Sequence, residues 1–329
     1  MVSSPLLQIN DLKVHFITRN GTFKAVDGIN LNIYPEKTLG LVGESGCGKS
    51  VTAKSILRLV PPTGKIVSGE ILYQDHKNRV DLSKIDPDGK QIRNIRGNRI
   101  SMIFQDPMSS LNPVYTIGDQ IFENIRIHSK VDKVTTKKKA IELLNSVKIS
   151  SPHIKVDDFP HHFSGGMRQR VLIAMALSCN PNLLIADEPT TALDVTVQSQ
   201  ILELINELKA LYKTAVLFIT HDLGVIAKIA DYVAVMYLGK ILEYGPVDDI
   251  FSNPAHPYTK GLIKATPSIL GKRKLHLDTI EGNVPDSNYE IKGCVFYSRC
   301  EYAKKECQQT TPEMVQMKDD HVAACLNLI

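Results

Sequence analysis

The sequence lacks any uninterrupted apolar run long enough to span a lipid bilayer. The longest apolar stretch, VLIAMALSCNPNLLIA, is broken by polar residues and by Pro181, well short of the roughly 20 residues that a spanning helix needs. The first ten residues, MVSSPLLQIN, also lack the basic and apolar segments of a secretory signal. We therefore expect a protein of a reducing, cytoplasmic compartment, in which disulfide bonds are disfavoured.

A strong excess of charge, internal repeats and low-complexity segments are missing as well. The formal net charge is +4 over 329 residues, and the only dense basic run is KVDKVTTKKKA. We interpret that run as the solvated face and start of a helix, and not as a nucleic-acid-binding surface. The content of 43% hydrophobic and 22% charged residues is ordinary for a globular protein, and the length allows an α/β core with an appendage.

The periodicity of apolar residues predicts the α/β class. Alternation from residue 6 to 34, around the turn signal Asn20-Gly21, predicts a β-hairpin. KTLGLVG predicts a buried strand, and a helix follows from Ser50 up to Pro61, since proline cannot continue a helix.

The same alternation of short strands and helices continues to about residue 250. NRISMIFQ predicts a strand and residues 115–180 a helix-rich stretch, after which the strands NLLIADE, TAVLFITH and DYVAVMY flank a helix at 195–211. Such strands between helices predict a parallel sheet buried on both faces. Proline and glycine break the pattern after residue 250, where we expect a C-terminal extension.

The segment GESGCGKS matches the phosphate-binding pattern GxxxxGKS between a predicted strand and a predicted helix. Its backbone N–H groups from about Gly46 to Val51 are expected to point at phosphate oxygens, at the start of a helix that favours anions. Lys49 is predicted to reach the β- and γ-phosphates and the Ser50 hydroxyl to bind Mg²⁺. The residues predicted to bind ATP in this loop are Gly43, Glu44, Ser45, Gly46, Cys47, Gly48, Lys49, Ser50 and Val51.

Two adjacent carboxylates, Asp187 and Glu188, end the predicted strand NLLIADE at the edge of the sheet where ligands bind in open α/β folds. Adjacent residues of a strand point to opposite sides, so the two carboxylates can act differently. Asp187 is predicted to hold Mg²⁺ through its water shell, and Glu188 to polarise the water that attacks the γ-phosphate.

With these motifs, the segment FSGGMRQR makes the chain resemble the ATP-binding subunits of ABC transporters over about residues 6–250. Gln105 resembles the Q-loop glutamine of the family, Asp194 in TALD its D-loop, and His221 its switch histidine. The resemblance implies a P-loop NTPase of the ABC type, with a RecA-like core, an antiparallel β subdomain, a helical subdomain at about 107–180 and a small C-terminal extension at 251–329.

The resemblance also implies roles for residues outside the loop. Gln105 would contact ATP and Mg²⁺, His221 would contact the γ-phosphate as a second catalytic residue, and Phe16 would stack on adenine, with Phe23 or a plain core phenylalanine as alternatives. In the family two subunits meet head to tail, so that each ATP lies between one subunit's phosphate loop and the other's signature. The signature residues implied here are Ser164, Gly165, Gly166 and Met167.

The extension and the GGMRQR variant resemble the peptide-importing branch of the family. NPAHPYTKGLIKATP is similar to the C-terminal segment of oligopeptide, dipeptide and nickel importer ATPases. The implied function is an ATPase at the cytoplasmic face of the cell membrane that powers import of dipeptides or oligopeptides. Implied partners are a second identical or homologous ATPase, two permease subunits and an extracytoplasmic peptide-binding protein. Alternatives are an importer of nickel or another small solute and an ABC ATPase that acts on nucleic acid.

Four of the six cysteines lie near the C-terminus, at Cys294, Cys300, Cys307 and Cys325. Their spacing resembles the pattern associated with a 4Fe-4S cluster in peptide importer ATPases. Zinc is an alternative, with His321 as a further ligand, although the close cysteine pair typical of zinc sites is missing. Metal-free thiols are the third possibility, and Cys47 and Cys179 are expected to pack as small side chains.

Overall fold

The computed structural model describes residues 4–19, 21–75, 78–106, 110–129, 131–191, 193–266, 280–285 and 291–328. These residues form two compact units. Unit 1 comprises residues 34–36 and 85–217, and unit 2 comprises the described residues up to 33, residues 37–84 and those from 218 onward.

Twelve strands occur in the described residues. In chain order they are β1 Leu7–Thr18, β2 Gly21–Ile33, β3 Thr38–Val42, β4 Gly64–Asp75, β5 Asn78–Asp81, β6 Ile100–Ile103, β7 Leu183–Asp187, β8 Ala215–Thr220, β9 Tyr232–Tyr237, β10 Lys240–Pro246, β11 Val315–Lys318 and β12 His321–Ala323.

The described α-helices number ten. They are α1 Lys49–Ile56, α2 Lys90–Ile95, α3 Ile117–His128, α4 Lys133–Ser146, α5 Pro152–Lys155, α6 Gly165–Leu177, α7 Val195–Tyr212, α8 Leu223–Ile229, α9 Val247–Ser252 and α10 Pro257–Ala265.

Unit 2 contains an antiparallel sheet with the strand order β2-β1-β4-β5. The predicted hairpin is present, since β1 pairs with β2 from Leu7 opposite Ile33 to Thr18 opposite Gly21. Asn20 of the predicted turn lies outside the described residues. In β1 the buried residues alternate as Leu7 and Ile9 and, after a register shift, as Leu12 and Val14, as expected for strands with one face in a core.

A second set of strands in unit 2 carries the phosphate loop and the C-terminus. β3 pairs in parallel with β9, β9 pairs with β10, and β10 pairs with β12, which pairs with β11. All five residues of β3 are buried, which explains its continuous apolar sequence. The C-terminal extension therefore contributes β11 and β12, which join the strands of unit 2 through β10.

Unit 1 combines parallel β6 and β7 with most of the helices. The five residues of β7 are buried, as the run of apolar residues predicts. β8 begins in unit 1 and ends in unit 2, because the division falls after Leu217. In the described part of the chain, no helix combines the length and the hydropathy that a membrane span requires.

Side-chain caps fix where several helices begin. Asp132 accepts hydrogen bonds from Val134 and Thr135 at the start of α4, which confirms the helix predicted from the basic run. Asp194 caps α7 and Asp222 caps α8 in the same way. A capping side chain satisfies backbone N–H groups that have no partner within the helix.

The helix after the phosphate loop is shorter than predicted. We expected it to continue up to Pro61, but α1 ends at Ile56. Leu57 leaves the helical conformation and Arg58 has φ 56°. A left-handed residue stops the hydrogen-bond ladder before the proline can.

Candidate functional site

The loop between β3 and α1 is shaped by glycines with positive φ. Gly43 has φ 154°, and a Cβ there would lie 2.0 Å from the carbonyl oxygen of Met236. Gly48 has φ 107°, and a Cβ there would lie 2.2 Å from the carbonyl oxygen of Ala25. Only glycine fits at either position, so the sequence pattern corresponds to backbone geometry in unit 2.

Lys49 is buried and lies over this loop. Its Nζ donates to the carbonyl oxygens of Gly43 at 2.8 Å and Glu44 at 3.0 Å. Gly48 is the N-cap of α1 and supplies no side-chain acceptor to the helix. Ser50 and Val51 follow in the first turn of α1, as predicted.

Glu44 is bound through all three of its polar groups. Its carbonyl oxygen accepts from Lys49, its N–H donates to the hydroxyl of Tyr258 at 3.0 Å, and its carboxylate forms a two-pronged ion pair with Arg299. Tyr258 and Arg299 belong to the C-terminal part of unit 2. Sequence reasoning did not identify either residue, because neither belongs to a nucleotide-binding motif.

In unit 1 the structure brings together two of the predicted site residues, Gln105 and Glu188. The Nε2 of Gln105 donates to Oε2 of Glu188 at 3.1 Å, and the hydroxyl of Thr191 donates to the same oxygen at 3.0 Å. One oxygen of the carboxylate is thus held by two donors. Sequence reasoning missed Thr191, although it lies three residues after Glu188 in the same turn.

The relation between the two adjacent carboxylates differs from the expectation. We predicted that both would lie on the strand and point to opposite sides. β7 ends at Asp187, which is buried, and Glu188 has φ 49°. A left-handed conformation is rare for residues other than glycine, asparagine and aspartate, and it turns the chain out of the strand at this point.

The signature segment forms the start of α6, also in unit 1. Ser164 is the N-cap, and its hydroxyl accepts from the N–H of Met167 at 3.3 Å. A Cβ on Gly166 would lie 2.7 Å from Cγ1 of Val197 on α7, whereas a Cβ on Gly165 would lie 3.9 Å from its nearest neighbour. Gly166 therefore allows α6 to approach the start of α7, which Asp194 caps.

Two further predicted site residues, His221 and Phe16, lie in unit 2. His221 is exposed and lies between β8 and α8. Phe16 is half-buried opposite Phe23 in the first hairpin, with the ring centroids 6.2 Å apart. A Cβ at Gly64 would lie 2.7 Å from the Phe16 ring.

The structure does not support the predicted iron–sulfur cluster. Among the described residues, no three histidine, cysteine, aspartate or glutamate side chains are placed as ligands of one metal ion. All six cysteines are free. The backbone joins two of the four C-terminal cysteines, since the N–H of Cys294 donates to the carbonyl oxygen of Cys307 at 2.8 Å.

The C-terminal thiols nevertheless influence each other electrostatically. The pKa of Cys294 is raised to about 11, chiefly by burial and in part by the neighbouring thiols of Cys325, Cys300 and Cys307. Burial likewise raises the pKa of Cys300 and of Cys325. These thiols are protonated at neutral pH, so any metal would have to displace their protons.

Comparison with known families matches two segments of the chain. Residues 26–191 match the family described as ABC transporter, and residues 242–307 match the family described as Oligopeptide/dipeptide transporter, C-terminal region. The second match includes Glu243, Tyr258 and Arg299.

Similar proteins are transport ATP-binding proteins of bacteria. The oligopeptide transport ATP-binding protein OppD of Bacillus subtilis is 50% identical over 96% of this chain and 87% of its own length. A probable peptide ABC transporter ATP-binding protein of Sinorhizobium fredii is 48% identical over 97% of this chain and 94% of its own length.

Solved structures with the same fold are ATP-binding cassettes. A dimeric cassette in a post-hydrolysis state bound to ADP and Pi has a TM-score of 0.64 and 25% identity, covering 73% of this chain and 98% of that one. A cassette of Clostridium perfringens that is part of the cbiONQ transporter complex has a TM-score of 0.62 and 26% identity, covering 76% and 92%. The chain has the P-loop NTPase fold of the ABC type and belongs to the ABC transporter family, with the C-terminal region of its oligopeptide/dipeptide transporters.

Proposed function

We propose that this chain is the ATP-hydrolysing subunit of an importer of dipeptides or oligopeptides. The observation that carries the proposal is the presence, in one chain, of an ABC ATPase domain and the oligopeptide/dipeptide C-terminal region. The relatives named for oligopeptide and dipeptide transport share nearly half of its residues over almost its full length. They support peptide import over the alternatives of nickel, another small solute or nucleic acid.

In the proposed reaction, unit 2 binds the triphosphate. The N–H groups at the start of α1 and the Nζ of Lys49 bind phosphate oxygens, and the hydroxyl of Ser50 contributes an oxygen ligand to Mg²⁺. Mg²⁺ would neutralise charge on the β- and γ-phosphates. Phe16 stacks on the adenine, and His221 contacts the γ-phosphate.

Unit 1 supplies the groups that act on water and on the partner's ATP. Glu188 accepts a proton from the attacking water. Asp187 would hold Mg²⁺ through its water shell, and Gln105 would contribute an oxygen ligand of the kind that Mg²⁺ prefers. The hydrogen bonds from Gln105 and Thr191 orient the Glu188 carboxylate. Ser164, Gly165, Gly166 and Met167 bind the ATP of a second subunit, and Asp194 lies at the same interface.

Transport itself takes place in other chains. We propose that two copies of this ATPase, or this chain and a homologue, act with two permease subunits and an extracytoplasmic peptide-binding protein. The ATPase works at the cytoplasmic face of the cell membrane. The match to the ABC transporter family and the dimeric form of a similar solved cassette support this arrangement.

The test of hydrolysis is the Glu188→Gln variant. Mg-ATP binding should be retained and kcat should fall by about 10²- to 10⁴-fold, the usual contribution of a general base. Steady-state phosphate release and equilibrium ATP binding measure the two effects. Lys49→Ala is the matched control, because it should lose binding itself; a Glu188→Gln variant with wild-type turnover would contradict the assignment.

Substrate class is tested in the complete transporter. In cells that lack this chain, the wild-type gene should restore uptake of labelled dipeptides or oligopeptides, and Glu188→Gln should not. Uptake of ⁶³Ni²⁺ without peptide uptake would favour the metal-importing alternative.

The iron–sulfur cluster stays a proposal that rests on the cysteine pattern, with zinc as its alternative. Four thiols in one polar segment are suitable ligands for either. Anaerobically purified protein should be brown, and Cys300→Ser should remove the colour while ATP binding persists. Colourless protein with stoichiometric zinc, or with no metal, would show that the proposal is wrong.

A further inference from the structure

Arg299 makes an unusual contact between the C-terminal region and the phosphate loop. Its Nη1 lies 2.6 Å from Oε2 of Glu44, and its Nη2 lies 3.0 Å from Oε1. The Arg299 side chain is only 4% exposed, and that of Glu44 is 28% exposed. A partly buried, two-pronged guanidinium–carboxylate pair fixes both position and orientation.

Other groups of unit 2 hold the guanidinium in place. Its Nε donates to the carbonyl oxygen of Glu281 at 3.0 Å, and Nη2 donates to that of Ile280 at 3.3 Å. The guanidinium carbon lies 5.8 Å from the ring centroid of Tyr237, within the range of a cation–π interaction. Arg299 therefore sits in a rigid setting, unlike a surface arginine that meets its partner only transiently.

An aromatic cluster carries the second contact with the loop. Tyr258 accepts the N–H of Glu44, and its ring packs against Tyr237 at 4.7 Å and Phe296 at 5.2 Å between centroids. All three rings are buried. Tyr258 belongs to α10, and Phe296 lies three residues before Arg299, so both contacts come from the C-terminal region.

The charge of Glu44 explains why the loop needs such a partner. A carboxylate inside a loop that binds triphosphate repels the anionic ligand unless a cation neutralises it. The carbonyl oxygen of the same residue binds Lys49, so a shift of Glu44 also shifts the acceptor that positions the phosphate-binding ammonium.

We propose that Arg299 is a positioning residue for the phosphate loop: it neutralises and immobilises the carboxylate of Glu44, so that the C-terminal region sets the affinity of the loop for the phosphates of ATP. Tyr258 assists by fixing the Glu44 backbone. This inference rests on the proposed role of residues 43–51 in ATP binding. The C-terminal region is thereby a part of the ATP-binding apparatus.

The experiment compares Arg299→Gln, Glu44→Gln and the double variant, with the Kd for Mg-ATP as readout. Arg299→Gln should raise Kd on the order of tenfold, the scale of one lost hydrogen bond to a charged group, because the Glu44 charge is no longer neutralised. Glu44→Gln should bind ATP at least as tightly as wild type. The double variant should return to within about threefold of wild type, since the repelling charge is gone.

Recovery of ATP binding when Glu44→Gln is added to Arg299→Gln distinguishes a positioning role of Arg299 from an effect on folding alone. If Arg299 acted only on stability, the double variant would bind as weakly as Arg299→Gln, and that result would overturn the proposal. Tyr258→Phe, which keeps the ring and loses the hydroxyl, should raise Kd by a few fold; wild-type binding by both Tyr258→Phe and Arg299→Gln would also overturn it.

Two controls keep the outcomes distinct. Lys318 is an exposed side chain of the same C-terminal region that pairs with Asp249 of α9 at 3.0 Å, so Lys318→Gln should leave Kd unchanged. Lys49→Ala should abolish ATP binding if the loop acts as proposed. If Lys49→Ala binds ATP normally, the proposed role of the loop is wrong. If Lys49→Ala loses ATP binding but Arg299→Gln binds with the wild-type Kd, only the proposed role of Arg299 is wrong.

Discussion

Glu188 combines an unusual backbone conformation with the proposed role of general base. Its φ of 49° places a non-glycine residue in a sparsely populated region, at a cost of about 1–3 kcal/mol. The surrounding structure sustains that conformation, and Gln105 and Thr191 hold the side chain. The motif predicts the residue type, but only the folded backbone gives the orientation of its carboxylate.

His256 is a buried residue whose protonation should affect stability. Burial lowers its pKa from 6.5 to about 4, and its Nδ1 accepts the N–H of Tyr258 at the start of α10. At a pH between these two pKa values, His256 is therefore protonated in the unfolded chain and neutral in the folded one. The contribution of His256 to the free energy of unfolding is fully present above about pH 6.5 and is lost as the pH falls towards 4. Near pH 5 the loss amounts to about 2 kcal/mol.

Urea unfolding at about pH 7.5 and about pH 5 measures the effect of His256. His256→Asn is the matched comparison, because asparagine can cap the helix and cannot take up a proton. The variant should lose less stability than wild type on acidification, by the 2 kcal/mol or so that His256 contributes. Equal losses in the two proteins would contradict the assignment.

At the scale of the element, the close approach of α6 and α7 depends on Gly166. A Cβ there would lie 2.7 Å from Cγ1 of Val197, closer than side-chain atoms can pack. Gly166→Ala should therefore lower the free energy of unfolding by about 1–3 kcal/mol, the usual cost of overpacking. The change is measured by urea unfolding.

The neighbouring glycine provides the comparison. Gly165→Ala should be neutral or slightly stabilising, because a Cβ there would lie 3.9 Å from its nearest neighbour and alanine favours the helix. Val197→Ala should restore most of the stability that Gly166→Ala loses. If Gly165→Ala and Gly166→Ala destabilised equally, crowding against α7 would not be the cause.

The C-terminal strands show a pairing that the sequence pattern does not predict. β12 pairs with β10, and Nε2 of His321 lies 2.8 Å from the buried carboxylate of Glu243. The same carboxylate accepts the N–H groups of Ala255 and His256. A fully buried carboxylate needs such partners, so Glu243 joins β10, the start of α10 and the C-terminal strand β12 within unit 2.

For the whole molecule, the proposed mechanism predicts association that depends on ATP. Glu188→Gln with Mg-ATP should sediment as a dimer, because uncleaved ATP stays bound between one subunit's loop and the other's signature. With Mg-ADP it should return to monomer. Sedimentation velocity distinguishes the two species.

The double variant Lys49→Ala/Glu188→Gln is the control for this association. It keeps the signature but lacks the loop ammonium, so it should stay monomeric in Mg-ATP. A dimer that forms equally in both variants would show that the subunits associate through a surface other than the nucleotide site.

The sequence by itself determined the fold class, the strand-loop-helix unit and the candidate ATP-binding residues. These depend on local rules: apolar periodicity sets the buried strands, and glycine is required wherever φ is positive at Gly43 and Gly48. It did not predict the early end of α1 or the turn at Glu188, because left-handed conformations at Arg58 and Glu188 are imposed by packing and not by residue type.

Only the tertiary structure decided what the C-terminal region contacts. Glu44 and Arg299 are separated by 255 positions, and no local pattern relates a glutamate to an arginine at that distance. Their pairing depends on the strands of unit 2 that bring β12 beside β10 and on the aromatic packing of Tyr258 and Phe296. Long-range contacts of this kind arise from the burial of many side chains at once, which single residues in a sequence do not encode.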